Sequence, residues 1–337
     1  MRWAIGAALV VAMLAFGLGV YHTAGVLKAG GKVVHRPNEV SAPPLPGTMY
    51  VVQGGAIFRF QHGSFTQVTA EDGWMQPAAR PGDNQLVAVR RQTNSSDLFL
   101  LTTGGKQVVQ LTRNSTPGPA EGNHWSFYPR FSADGATLFY DYDPKSGFNN
   151  YQVDLAIYAS PSNPDSRGSL QWTHPNDYTG GDVYPVPLRG GGLIYVKYSI
   201  DDSFKVHSQI WLQKRAGTSG QALTQPELGC TQPALSPDES LIAMVCSGGS
   251  NQTAELDVAT FDPTTLTLGS PATLVSGQLV ASPVFSPDGK TIAYLAPSTP
   301  GGQFQLWTAG SSGPASVRNI TTDLGLDSTS PPVWIGG

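Results

Sequence analysis

The sequence predicts an all-β, six-bladed β-propeller whose C-terminal strand completes the N-terminal blade, preceded by an N-terminal transmembrane helix. Three observations carry this. A proline-marked segment recurs about every 50 residues along the 337-residue chain. Each recurrence holds a tight turn between two short apolar runs. The first and last repeats are incomplete in complementary ways.

The N-terminus comes first. Residues 3–21, WAIGAALVVAMLAFGLGVY, carry no charge. Nineteen apolar residues are close to the ~20 that span a hydrocarbon core. A cleaved signal peptide has a shorter apolar region and a small-x-small site beyond it, and here the small pairs lie inside the run. Residues 1–21 therefore read as an anchor, with a cleaved signal and a secreted protein as the alternative. Residues 22–47 are rich in small residues and proline and have no sustained period, which predicts a flexible stalk. Extended, it reaches roughly 80 Å. The propeller occupies 48–337.

Within it, prolines 77, 129, 185, 233, 283 and 332 follow one another at steps of 52, 56, 48, 50 and 49. That period is a signature of repeat arrays and propellers. In VFSPDGKTIAYL, residues 284–295, Ser286-Pro287-Asp288-Gly289 has type I turn preferences, with β-branched and aromatic residues on both sides. The turn recurs as Ser132-Ala133-Asp134-Gly135 and Ser236-Pro237-Asp238-Glu239, and in weaker form at 80–83 and 189–192. A third strand follows with a pair such as Ile57-Phe58, Ile210-Trp211 or Leu306-Trp307, which Leu256-Asp257 breaks. A fourth strand ends in Thr at Thr69, Thr112, Thr173, Thr224 and Thr321. Four strands per repeat make a propeller blade. Residues 49–69 lack a first strand, and residues 331–337 supply only one. Pairing the two closes the ring and removes its free edges.

The series S-P-D-G-K-x-I-A-Y, then I-W, then L-T resembles the TolB-type, WD40-like propeller repeat over residues 48–337. That resemblance implies protein–protein interaction outside the cytoplasm. TolB itself carries an additional α/β domain before its propeller, where this chain has the apolar run and stalk. Related propellers gate prolyl-oligopeptidase-type hydrolases, and no residues remain here for a hydrolase domain.

Cys230 and Cys246 lie eight residues to either side of Asp238, the turn of one hairpin. Residues symmetric about a hairpin turn oppose one another within disulfide range, so a bridge is expected. A disulfide implies an oxidising compartment, and hence a single-pass membrane protein with its propeller outside the cytoplasm.

Composition narrows the function. Charged residues are 13 % against about 25 % in typical domains, and the net charge is −4. No basic cluster tracks a phosphate backbone, so a nucleic-acid partner is not expected. Sialidase-type Asp-boxes fail on the position of Gly135 and the missing Trp. Glycosidases need facing carboxylates, whereas Glu71, Glu121, Glu227, Glu239 and Glu255 occupy unrelated repeat positions. Among six scattered histidines only His124 and His174 share equivalent loops. No metal or cofactor is expected.

The loops joining strand four to the next strand one, and strand two to strand three, share one face. The long ones cluster on blades two to four: Leu111 to Pro129 is 18 steps, Trp172 to Pro185 is 13, Tyr140 to Tyr158 is 18 and Tyr195 to Trp211 is 16. Long loops in a compact fold are commonly functional. His124, Trp125, Tyr128, Asp143, Tyr178 and Asp182 are the candidate partner-binding residues, with Tyr128 alternatively packed between blades. The leading expectation is a non-catalytic, monomeric propeller that binds a protein or cell-envelope component. The alternative is a propeller enzyme or lectin acting on a carbohydrate or small ligand at the pore.

Overall fold

The computed structural model describes residues 45–145, 153–163, 165, 168–248, 254–312 and 316–336. The apolar run 3–21 and the stalk up to residue 44 lie outside the described residues.

Six antiparallel sheets form the propeller. Blade one is composite: Val333–Ile335 pairs with Thr48–Gln53, followed by Ala56–Gln61 and Ser64–Gln67. Blades two to six begin with the innermost strands Trp74–Ala79, Ser126–Phe131, Asp182–Pro187, Cys230–Leu235 and Ala281–Phe285. Each then runs outward in chain order. Blade five adds Thr267–Leu268 and Ala272–Val275 on its third strand, Glu255–Asp262. Closure rests on Thr48 opposite Ile335 and on the Trp334 Nε1–H, which donates to the Pro46 carbonyl at 2.7 Å.

The second strand of each blade is packed on both faces by its neighbours. Its sequence is therefore a continuous apolar run rather than an alternating one. Leu86, Val87, Ala88 and Val89 are all fully buried, as are Ile194 and Val196 in blade four. The core is divided into clusters that each bridge two adjacent blades, such as Ile194, Ile210 and Leu212 against Ile242 and Met244. Removing one blade would strip one wall from two clusters.

The expected turns form as read. Ser132, Ser236 and Ser286 each donate a hydroxyl to the Asp two residues on, at 2.5, 2.6 and 2.6 Å. Each hydroxyl oxygen also accepts the N–H five residues on, from Thr137, Leu241 and Thr291. The Ser236 and Ser240 hydroxyls pull the Asp238 carboxyl down to about 2. The fourth turn position is left-handed, with φ of 68° at Gly135, 72° at Gly289 and 62° at Glu239. Glycine takes this conformation without cost. Glu239 stands there in place of glycine, and its carboxylate accepts the Arg189 N–H of the neighbouring blade at 2.7 Å.

The recurrent threonine acts just after the fourth strand has ended. In blades one, two, three, four and six its Oγ1 accepts an N–H from the third strand: from Ile57, Leu98, Ile157, Ile210 and Leu306, at 2.9 to 3.0 Å. The preceding residue gives its own N–H to the carbonyl of that same third-strand residue, as Val68 does to Ile57. A side-chain oxygen thus replaces the backbone carbonyl that the departing strand no longer offers. Blade five has no such threonine, and Val275 pairs with Leu256 there instead.

Cys230 and Cys246 are directly opposed in blade five and form a disulfide, with Cα atoms 4.0 Å apart.

Two stability outcomes follow. Thr69→Val leaves the buried Ile57 N–H without a partner and lowers stability by about 1–3 kcal/mol, while Thr66→Val, on the exposed side of the same blade, stays within about 0.5 kcal/mol. Equal midpoints for the two in urea unfolding would contradict the capping role. Replacing both cysteines by alanine frees a loop of about 15 residues and costs about 3 kcal/mol. An unchanged urea midpoint in the double variant would show that the bridge does not constrain the unfolded chain.

Candidate functional site

The bore is built from one repeated local feature. In blades two to six the first strand carries a bulge, in which two residues oppose one on the second strand. The two residues are always X-Pro: Gln76-Pro77, Tyr128-Pro129, Tyr184-Pro185, Gln232-Pro233 and Ser282-Pro283. Proline has no N–H for the ladder, so the bulge loses little there. The preceding residue is left-handed, with φ between 46° and 59° in all five. For side chains of this size such a backbone costs of order 1–3 kcal/mol.

Neighbouring blades meet the N–H groups that these bulges turn out of the ladder. Ser330 Oγ accepts from Gln76 at 3.1 Å, and Gln76 Oε1 accepts from Tyr128 at 2.8 Å. Asp141 Oδ2 accepts from Tyr184 at 3.3 Å, and Gln232 Oε1 accepts from Ser282 at 2.6 Å. The Ser282 hydroxyl then donates to the Ser328 carbonyl beside blade one. Between blades four and five the link is the Gln232 amide to the Tyr184 hydroxyl at 3.5 Å. The Tyr128 and Tyr184 rings, from adjacent blades, meet in the bore at a tilt of 42° with centroids 4.1 Å and hydroxyls 3.0 Å apart. Beside this pair is a narrow neck of about 20 Å³, lined also by Gln232, Pro233, Ser282 and Pro331, with room for water only.

Below the neck, on the face of the tight turns, the bore widens into a cup of about 370 Å³. The chain enters the propeller at this same face, where Thr48 pairs with Ile335. Glu239 is the one carboxylate among the cup's lining residues, and the Arg189 N–H occupies one of its oxygens. The tyrosines at the neck are poor bases or nucleophiles at neutral pH, since burial pushes the Tyr184 hydroxyl up to about 12.

On the opposite face the six sequence-predicted residues separate. Tyr178 is exposed, at 69 %, at the tip of the loop between blades three and four. His124 and Trp125 are half-buried at the blade-three entrance. The His124 ring stacks on Tyr142 and its Nδ1 lies 2.7 Å from the Asp143 carbonyl. Trp125 stacks on Phe127, with the Arg91 guanidinium 5.8 Å from its ring. Tyr128 is not on this face, because its bulge turns it into the bore. Asp143 and Asp182 are buried, at 1 % and 0 %, and are not surface groups. Asp143 pairs with Lys145 at 2.8 Å, and Asp182 with Lys197 at 3.0 Å. Burial raises the Asp182 carboxyl, and the lysine works against that shift. Among the described residues no group of three or more His, Cys, Asp or Glu could hold a metal ion.

Two residues that sequence reasoning missed shape this face. Phe204, 89 % exposed, tips the blade-four hairpin between Ile200 and Val206. Its surrounding residues Asp201, Asp202 and Ser203 hid it inside a polar loop. Asp154 accepts the N–H groups of Tyr178, Thr179 and Gly180 at 2.8, 2.9 and 2.8 Å, which sets the Tyr178 loop. Asn176 Nδ2 donates to the Tyr198 carbonyl at 3.0 Å and so ties the Tyr178 loop to the blade-four hairpin. Asp154→Ala removes the three acceptor contacts. The Tyr178–Gly180 amides should then exchange with deuterium at least about tenfold faster, as a loss of 1.4 kcal/mol or more requires. Unchanged exchange would show that the loop is held otherwise.

No family model and no curated protein matches the sequence. Among solved structures the chain is similar to TolB from Acinetobacter baumannii, at 19 % identity over 88 % of this chain and 68 % of that one, with TM-score 0.64. It is also similar to a chain of a nidogen/laminin complex, at 13 % identity over 85 % of this chain and 97 % of that one, with TM-score 0.58. A third similar structure is XC5397 from Xanthomonas campestris, described as a gluconolactonase, at 13 % identity over 86 % of this chain and 91 % of that one, with TM-score 0.51. Identities this low, under three different descriptions, establish the fold and not an activity. The chain has the six-bladed propeller fold of TolB.

Proposed function

We propose that this protein is a non-catalytic binding propeller held outside the cytoplasm, and that it grips a protein or cell-envelope component with the long-loop face of blades two to four. The observation that carries this is the pair Tyr178 and Phe204. Both are large, exposed aromatics in loops of the long-loop face, and both sit in left-handed backbone, with φ of 61° and 62°. Strained residues that present apolar rings to water cost stability, and a partner that buries them explains their retention. Trp125 and His124 extend the patch toward blade three. Asp143 and Asp182 serve it by holding the loops.

The disulfide supports an oxidising location. The apolar run 3–21 supports a membrane tether. Similarity to TolB and to a chain of a nidogen/laminin complex is consistent with a binding role. The competing reading, an enzyme or lectin at the pore, takes its support from the likeness to a gluconolactonase. It lacks the facing carboxylates that glycosidic chemistry needs, since only Glu239 lines the cup.

Crosslinking in membranes tests the proposal. A partner captured by the native chain should be recovered at least about tenfold less with Tyr178→Ala plus Phe204→Ala, at unchanged thermal stability. Equal recovery by the double variant, or sugar- or lactone-hydrolysing turnover by the purified native chain, would overturn it.

A further inference from the structure

The cup on the tight-turn face lies apart from the long loops, and its walls repeat with the blades. The residue following the first-strand proline lines it in every blade: Ala78, Arg130, Val186, Ala234, Val284 and Val333. Five of these six equivalent positions carry alanine or valine, and one carries arginine. The next positions add Phe131, Leu235, Phe285 and Trp334, so the wall is predominantly apolar. The neck beside the tyrosine pair shares Arg130, Val186, Pro233 and Pro283 with the cup's lining.

Arg130 is poorly satisfied for a residue in that place. It lines both the neck and the cup. Its one hydrogen bond is from Nη1 to the Pro129 carbonyl, at 3.3 Å, and it makes no ion pair among the described residues. Asp141, the acidic group that acts on it, is fully buried, and one of its oxygens is already taken by the Tyr184 N–H. Burial pushes the Asp141 carboxyl well up, and the Arg130 guanidinium works against that shift. A guanidinium offers five N–H donors in a planar fork that matches a carboxylate. Among the described residues no Arg130 nitrogen is both buried and unpaired, so its remaining donors are open to a ligand, and an anion that meets them forms charge-assisted hydrogen bonds.

Charge and size limit the ligand. The cup's charged lining residues are Arg130, Arg189 and Glu239, a net charge of +1. That balance suits a monoanion better than a dianionic phosphate. A cup of about 370 Å³ is at the small end of ligand sites, which run from about 300 to 1,000 Å³.

We infer that this cup is a binding site for a monocarboxylate carried on a compact apolar body, with the carboxylate on Arg130 and the body against the ring of alanine and valine. The same chemistry is offered by a free aryl or branched carboxylic acid and by the C-terminus of a polypeptide ending in apolar residues. The site is independent of the long-loop face, and either reading stands or falls without the other.

Calorimetric titration of the full-length chain in phosphatidylcholine nanodiscs tests it, using 3-phenylpropionate, 3-phenylpropionamide, and N-acetyl-Ala-Leu-Leu with a free or amidated C-terminus. At least one of the two acids should bind saturably at one site. Its amide should bind about tenfold or more weaker, as expected for hydrogen bonds to a charged group. Arg130→Val should weaken the acid by a similar factor. Valine is already the native residue at three equivalent positions, and retention of the fold is checked by circular dichroism. Ala234→Phe, which fills the cup and leaves the charge in place, should weaken it too. Tighter binding of the free peptide marks a polypeptide terminus as the source, and tighter binding of phenylpropionate marks a small acid. Binding of neither acid, an amide as tight as its acid, or unchanged affinity in Arg130→Val would each overturn the assignment.

Discussion

The propeller depends on how it satisfies a set of backbone N–H groups at its centre. Each X-Pro bulge gives up ladder hydrogen bonds and places a glutamine, tyrosine or serine in left-handed backbone. Such a state persists only where its surroundings over-determine it. Here the surroundings are the adjacent blades. Ser330 serves Gln76, Gln76 serves Tyr128, Asp141 serves Tyr184 and Gln232 serves Ser282. The strain of one blade is therefore met by a side chain of another, and no blade is complete alone. The first link of this series, Ser330, lies next to the C-terminal strand that closes blade one. Ring closure and bore chemistry are thus one event.

The same arrangement gives the molecule two unlike faces. Tyr128 and Tyr184 turn into the bore, where a narrow neck lies beside them. On one side the bore opens into the cup with Arg130 at its inner end, near where the chain enters the propeller. On the other side stand the long loops, whose buried pairs, Asp143 with Lys145 and Asp182 with Lys197, fix the loop bases. Their tips, Tyr178 and Phe204, project into solvent. A buried ion pair contributes little net stability, but removing one partner is costly. These pairs are better understood as devices that specify loop position.

The tight turns and the capping threonines were legible in the sequence because their chemistry is local. Ser286, Asp288 and Gly289 act on N–H groups within five residues, and Thr69 acts on a strand only twelve residues away. The disulfide was legible for the same reason, since a hairpin sets its own register. The loop residues were only partly legible. Loop length located the right region and Tyr178 within it. It could not distinguish an aspartate that reaches solvent from one that turns inward to a lysine two or fifteen residues on. Phe204 was missed because its polar neighbours Asp201, Asp202 and Ser203 masked it, and Asp154 because the nearest of its three loop contacts, to Tyr178, is 24 residues away.

Arg130 marks the boundary between the two kinds of information. Its position after Pro129, where other repeats carry alanine or valine, is written in the sequence. Its meaning is not, because the six equivalent positions converge only when the ring closes. The sequence by itself determined the blade count, the turn chemistry, the closure and the disulfide, all products of short-range pairing and a regular period. Only the tertiary structure decided that Tyr128 and Tyr184 turn into the bore, that the cup lies on the tight-turn face away from the long loops, and that Arg130 joins its wall. Those properties arise from residues of different blades meeting across the axis, and no spacing along the chain encodes that distance.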